Sequence, residues 1–268
     1  MKFTFLSLLS LVIVLTTACA WALKVKEDKT IVLIHAYPTD QRLWQPQQAL
    51  KRHFKLITLD LKGFGQAEPT DGSAVTMSEY ADQVKHLLDQ LHISKAIIGG
   101  ESMGGYVALA FYEKYPAAVA GLILSDTQSI ADTPEMKEKR EAIARDMLEH
   151  GTTNAINSFM TKALSANASE STKAYLRNIV DSQTATALAS AQRGMAQRTD
   201  TSHLLAETSL PVLIITGEQD MLIAPQQSEA MHKLAKNSKL ITIPNAGHLS
   251  SLEQPEAWNQ AVINTFEK

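Results

Sequence analysis

The apolar run Ala96-Ile97-Ile98 passes directly into Gly99-Gly100-Glu101-Ser102-Met103-Gly104-Gly105 and then into the helical pattern Tyr106-Val107-Ala108-Leu109-Ala110-Phe111. Residues 100–104 fit G-x-S-x-G, the pattern of a strained strand-to-helix turn that lifts a serine hydroxyl clear of a sheet. Such a turn needs small residues on both sides of Ser102, because neighbouring backbone passes close to a residue held in an unfavourable conformation. A strand that ends in this turn and feeds a helix is a βα unit, which points the whole chain toward an α/β architecture.

The same alternation recurs on either side. Thr30-Ile31-Val32-Leu33-Ile34 and Leu56-Ile57-Thr58-Leu59 read as buried strands. Between them residues 43–54 carry a helical pattern, with Pro46 near its start, where a missing N–H costs little. Ser78 is a candidate N-cap for a helix whose apolar face includes Tyr80, Val84, Leu87 and Leu91. A helix over about 105–115, a strand over 119–124, a strand over 212–216, a helix over 225–234, a strand over 240–243 and a helix over 254–266 follow. Continuous apolar strands alternating with helices predict a doubly wound, mostly parallel sheet covered on both faces. One interval breaks the rhythm. Residues 131–206 contain no convincing strand but show helical patterns over 134–149, 155–164 and 172–180. A helical insertion in an α/β sheet reads as a cap over the strands' carboxyl ends, where ligands bind in this architecture. The expected organisation is a core of residues 24–130 and 207–268 with a cap at 131–206.

A serine hydroxyl is a weak nucleophile until a base takes its proton, and that base needs an acid to fix its tautomer. His248, in Asn245-Ala246-Gly247-His248, follows the strand over 240–243, and Asp220, in Gly217-Glu218-Gln219-Asp220, follows the strand over 212–216. Both fall at the strand ends where Ser102 sits, in the order serine, acid, histidine. Asp126, after Leu124-Ser125, is an alternative acid at a neighbouring strand end. An oxyanion formed at a carbonyl would need two aimed donors. The backbone N–H of Met103, opening the helix after the turn, is one candidate. The N–H of Tyr37 is the other, with Ala36 as its alternative; Pro38 has no N–H.

Several residues carry plainer expectations. His35 is expected to order the loop that bears Tyr37, and Glu101 to be solvated or to face the cap. Met147, Phe159, Met160, Leu164, Tyr175 and Met195 could line an acyl pocket, though several serve equally well as the cap's own core. Arg177, Arg193 and Arg198 could pair a substrate carboxylate, although helix-borne arginines are usually solvated. No histidine pair has metal-ligand spacing, and Gly63-Phe64-Gly65 lacks the next glycine of a dinucleotide fingerprint, so neither metal nor cofactor is expected.

With 268 residues and a formal charge of −3, the chain has length for a large α/β domain and lacks the basic stripe of a nucleic-acid binder. Small molecules are the expected partners. The amino terminus reads differently from the rest. Met1-Lys2, a charge-free apolar segment over 3–15 and Ala18-Cys19-Ala20 have the form of a secretory signal over residues 1–20, implying export to the periplasm or cell envelope. Cleavage before Trp21 and lipidation of Cys19, within a segment resembling a bacterial lipobox, are competing outcomes, and an uncleaved anchor is a third. Cys19 is the only cysteine, so no intrachain disulfide can form.

Taken together, Leu33-Ile34-His35-Ala36-Tyr37-Pro38 with Trp44, Asp60-Leu61-Lys62-Gly63-Phe64-Gly65, the Ser102 turn, Gly217-Glu218-Gln219-Asp220, and Gly247-His248 followed by Glu253-Gln254-Pro255 resemble the α/β-hydrolase family over about residues 30–266. The resemblance is to the branch of small carboxylesterases, enol-lactonases, carrier-protein methyl ester esterases and cofactor-free haloperoxidases. It implies a triad of Ser102, Asp220 and His248, oxyanion amides on Tyr37 and Met103, and hydrolysis of a small carboxylic ester or lactone. Acyl transfer or perhydrolysis by the same residues, and a ligand-binding protein without catalysis, are the alternative readings. The family usually has Gly where Ala36 stands. Two strands usually precede the first one here, yet only about ten residues separate the predicted cleavage site from Thr30, so those strands are expected to be truncated.

Overall fold

A computed structural model describes residues 29–267. The amino-terminal segment expected to be a secretory signal, with Cys19, lies outside the described residues. Six strands form one all-parallel sheet: β1 (Thr30–Ile34), β2 (Lys55–Leu59), β3 (Ala96–Glu101), β4 (Val119–Ser125), β5 (Val212–Gly217) and β6 (Ser238–Ile243), in spatial order β2-β1-β3-β4-β5-β6. Among the described residues no strand precedes β1.

Burial follows the sequence pattern. β3 and β5 are buried at every residue and β4 at all but Ala120, whereas the edge strands β2 and β6 are mostly half-exposed. Strands covered on both faces have no solvent side to mark with polar residues, which is why the central ones read as unbroken apolar runs.

The core helices are α1 (Met77–Gln90), α2 (Met103–Lys114), α8 (Pro225–Leu234), α9 (Ser250–Glu253) and α10 (Pro255–Phe266). Five more lie between β4 and β5: α3 (Pro134–His150), α4 (Thr153–Ala163), α5 (Glu170–Asp181), α6 (Ala185–Ala196) and α7 (Ser202–Glu207). Among the described residues no helix is long and apolar enough to cross a membrane.

Two local expectations are corrected. The cap of α1 is Thr76, not Ser78: the Thr76 hydroxyl accepts from Glu79 N–H at 3.2 Å while the Glu79 carboxylate accepts from Thr76 N–H at 2.7 Å. This reciprocal box satisfies two amides that Ser78, two residues too late, would leave bare. The segment over 43–54 is two 3-10 helices, Gln41–Trp44 and Pro46–Arg52, not one α-helix. Pro46 cannot donate a backbone hydrogen bond to the first, so the chain restarts there. Trp44 then packs on Trp258 of α10 with ring centroids 5.5 Å apart.

Strand order reverses between β1 and β3. In doubly wound sheets the ligand crevice lies outside the carboxyl ends at such a switch point. Ser102 ends β3 there, and the loop bearing Tyr37 leaves β1 beside it.

Candidate active site

Ser102 caps α2 with φ 55° and ψ −115°, a conformation that a side-chain-bearing residue adopts only under constraint. The constraint is packing of backbone on backbone. A Cβ on Gly100 would overlap the Gly104 carbonyl, and one on Gly104 would overlap the Ile34 carbonyl at the end of β1. The two glycines let β3, α2 and β1 converge, which brings the Tyr37 loop alongside the amino end of α2.

His248 bridges the other two residues that the sequence singles out. Its Nε2 lies 2.8 Å from Ser102 Oγ and its Nδ1 lies 2.8 Å from Asp220 Oδ2. A carboxylate only accepts, so Nδ1 carries the ring proton and Nε2 is left to accept from the serine hydroxyl. Asp220 is fixed in turn, its Oδ1 accepting from Leu222 and Ile223 N–H at 2.8 and 2.9 Å. The loops carrying the acid and the histidine are joined by Gln219 N–H donating to the Ala246 carbonyl at 2.8 Å. All three side chains are nearly buried. Burial opposes charge on the His248 ring, but the Asp220 carboxylate, with a contribution from Asp126, outweighs it and holds the imidazole above its ordinary range.

The Tyr37 loop is held as expected of His35, whose Nε2 accepts from Leu61 N–H at 3.1 Å while Nδ1 lies 3.0 Å from the Ala36 carbonyl. The same carbonyl accepts from Thr39 N–H and Oγ1, and the Tyr37-Pro38 bond is cis. Met103 is the first residue of α2, where the amide has no partner inside the helix.

Above these residues opens a cavity of about 680 Å³, walled by α3, α4, α6 and the loop after β5. Tyr37, Ser102 and His248 line it with Tyr106, Ile143, Phe159, Met195 and Ile223. Lys139, Arg140, Asp146, Lys162 and Gln192 supply its polar positions. Of the pocket candidates read from sequence, Phe159 and Met195 line this space, whereas Met147 and Leu164 are buried in the core. Arg140 could not be singled out by sequence. Its Nε lies 2.5 Å from Asp132 Oδ2 and its Nη1 donates to Gln192 at 2.9 Å.

Three expectations are overturned here. Glu101 is neither solvated nor facing the cap; it is fully buried and accepts from the Ser251 hydroxyl at 2.6 Å and from Ser251 N–H at 3.2 Å. Asp126, the alternative acid, forms no hydrogen bond with His248 and instead accepts from Gly217 N–H at 2.6 Å and the Ser250 hydroxyl at 2.5 Å. Arg198 is not solvated: it pairs with buried Asp132 at 2.8 Å and stacks 4.2 Å from the Tyr106 ring centroid. Glu253 is a residue whose role sequence did not reveal. It accepts from Gly247 N–H at 2.6 Å and from Ser165 N–H and hydroxyl, tying the histidine loop to the helical insertion.

Burial pushes the Glu101 carboxyl up to about 7 from an ordinary value of 4.5. An acid whose pKa rises on folding binds more protons folded than unfolded between those two values, so stability falls as pH rises through that window. Thermal unfolding of the wild type should therefore lose ground to Glu101→Gln between pH 4.5 and 7. A constant difference between the two proteins would contradict it.

Residues 29–255 match the family model for the alpha/beta hydrolase fold. The solved structure of a thermophilic esterase from Thermogutta terrifontis, malate bound, superposes with a TM-score of 0.86 at 34% identity, covering 88% of each chain. The 3-oxoadipate enol-lactonase 1 of Acinetobacter baylyi is 28% identical over 240 residues, 89% of this chain and 88% of the enzyme. A pimeloyl-[acyl-carrier protein] methyl ester esterase of Yersinia enterocolitica is 25% identical over 252 residues, 91% of this chain and 95% of that one.

Proposed function

This chain belongs to the α/β-hydrolase family, and from that premise we propose that it is a serine hydrolase cleaving a small carboxylic ester or lactone through an acyl-enzyme on Ser102. The observation that carries the reading is the hydrogen-bonded chain from Ser102 Oγ through the His248 ring to Asp220. In this reading Nε2 takes the hydroxyl proton as Oγ bonds to the substrate carbonyl carbon, and Asp220 stabilises the imidazolium. The carbonyl oxygen becomes an oxyanion held by the Met103 and Tyr37 amides. Loss of one such donor typically costs on the order of 3 kcal/mol in the transition state. The oxyanion collapses, the alcohol oxygen leaves with the proton from Nε2, and Ser102 keeps the acyl group. Water then attacks, giving its proton to Nε2; the acid departs and Ser102 Oγ recovers that proton.

A cavity of this volume lies within the range of small-molecule sites. By their names the enol-lactonase acts on a lactone and the methyl ester esterase on a methyl ester, which favours cleavage of the same kinds of bond here. We read the helical segment 131–206 as the cap that shapes specificity, since its helices supply most of the cavity wall. The amino-terminal segment supports an exported enzyme, with Cys19 as its lipidation site if it is a lipoprotein; fractionation of expressing cells checks this.

A fluorophosphonate probe should label Ser102, located by peptide mass spectrometry, and a panel of esters and lactones should be hydrolysed by the same preparation. Folded protein that resists the probe would instead favour a binding protein. Products formed with peroxide or alcohol in preference to water would favour acyl transfer.

A further inference from the structure

Two fully buried carboxyl groups, Glu101 and Asp126, take no part in the proposed reaction, yet they touch the three loops that carry Ser102, Asp220 and His248. Glu101 immediately precedes Ser102, and its two oxygens accept from the backbone and hydroxyl of Ser251, three residues after His248. Asp126 directly follows β4 in a left-handed conformation, φ 47°. Its Oδ1 accepts from Gly217 N–H, three residues before Asp220, and its Oδ2 from the hydroxyls of Ser125 and Ser250. Ser125 Oγ accepts in turn from Trp258 Nε1 at 3.0 Å. The turn bearing the serine, the loop bearing the acid and the loop bearing the histidine are thus fastened from below through these two side chains.

The two carboxyl groups stand at the carboxyl ends of the paired strands β3 and β4, where Glu101 is in register with Ser125, and they hold the consecutive residues Ser251 and Ser250. The charged groups acting on them are Asp220, from the β5 loop, and His248, from the β6 loop; α9 and α10 bring the neutral groups of Ser250, Ser251 and Trp258. Two adjacent buried carboxylates repel, whereas a proton between them turns the contact into a hydrogen bond. We propose that Glu101 and Asp126 are positioning residues, a proton-sharing carboxyl pair that fastens the three loops and keeps a single negative charge behind the His248 ring. Burial raises both groups above the ordinary carboxylate range, and the charges of Glu101 and Asp220 raise Asp126 further. Asp126 in turn favours the imidazolium of His248.

The rate consequences rest on the serine hydrolase reading; the protonation does not. In Ser102→Ala protein at pH 7, infrared spectroscopy should show a protonated-carboxyl stretch that disappears when Glu101→Gln and Asp126→Asn are added together. Its absence from the parent would overturn the proposal. Because either carboxyl alone can hold the charge, Glu101→Gln and Asp126→Asn should each lower kcat/KM by no more than about threefold. The double variant, which holds no charge, should lose about tenfold, with the acid limb of its pH profile about one unit lower. Glu101→Leu, which also drops the Ser251 clamp, should lose kcat with KM little changed, and Glu101→Gln should rescue it. Single variants as damaged as the double, or a double indistinguishable from the wild type, would overturn the proposal. A carboxyl band in Ser102→Ala protein whose wild-type parent resists fluorophosphonate would support the shared proton and count against the hydrolase reading alone.

Discussion

Ser102→Ala is expected to reduce ester turnover by about 10⁴-fold or more. The loss should fall on kcat, because in the proposed reaction the hydroxyl contributes the bond that forms to the carbonyl carbon and little to substrate binding. Ser102 carries the only hydroxyl of the turn over 99–105; the Met103 and Tyr37 amides would persist and sustain a small residual rate. Alanine at φ 55° retains the strain that serine already bears, so the variant should unfold near the wild-type temperature. Measurement of kcat in a preparation shown to be folded and free of host esterase decides the matter. Turnover within tenfold of wild type would remove Ser102 from the chemistry.

The residues that meet at the site were legible in the sequence because each lies on the turn or loop that leaves the carboxyl end of a strand. In a parallel sheet all carboxyl ends lie on one edge, so finding an apolar β-branched run also locates the loop after it. Ser102, Asp220 and His248, separated by up to 146 positions in the chain, could be brought to one edge without any knowledge of how the helices pack. The helix patterns over 134–149 and 225–234 were readable for a similar reason, as Pro134 and Pro225 each open an α-helix at its first turn.

What lay beneath that edge was not legible. The environment of Glu101 depends on Ser251, 150 residues away, and a carboxylate beside a serine gives no local sign of whether it meets water or a hydroxyl. The ion pairs of Asp132 with Arg140 and Arg198 join the turn before α3 to α3 and to the end of α6, and helical periodicity cannot show which arginine turns inward. The 3-10 geometry after β1 likewise arises from competition between Asp40, which caps Gln41–Trp44, and Pro46, which restarts the chain, and not from apolar spacing.

Asp220→Asn is expected to lower kcat on the order of 10³–10⁴-fold, and the reason lies in the direction of one hydrogen bond. The backbone amides of Leu222 and Ile223 both point at Oδ1, so the asparagine carbonyl oxygen must take that place and its NH2 must face His248 Nδ1. Nδ1 then accepts, the ring proton moves to Nε2, and the nitrogen facing Ser102 becomes a donor with no capacity to take the hydroxyl proton. Loss of the carboxylate also removes the charge that holds the imidazole above its ordinary range of 6.5. In the wild type, activity should therefore fall as pH drops through a value above 6.5, and in Asp220→Asn any residual activity should persist to lower pH. Asp126→Asn makes the discriminating comparison: that carboxyl forms no hydrogen bond with the ring, so its loss leaves the tautomer intact and the rate close to wild type. A reversal of the two effects would transfer the acid's role from the β5 loop to the end of β4.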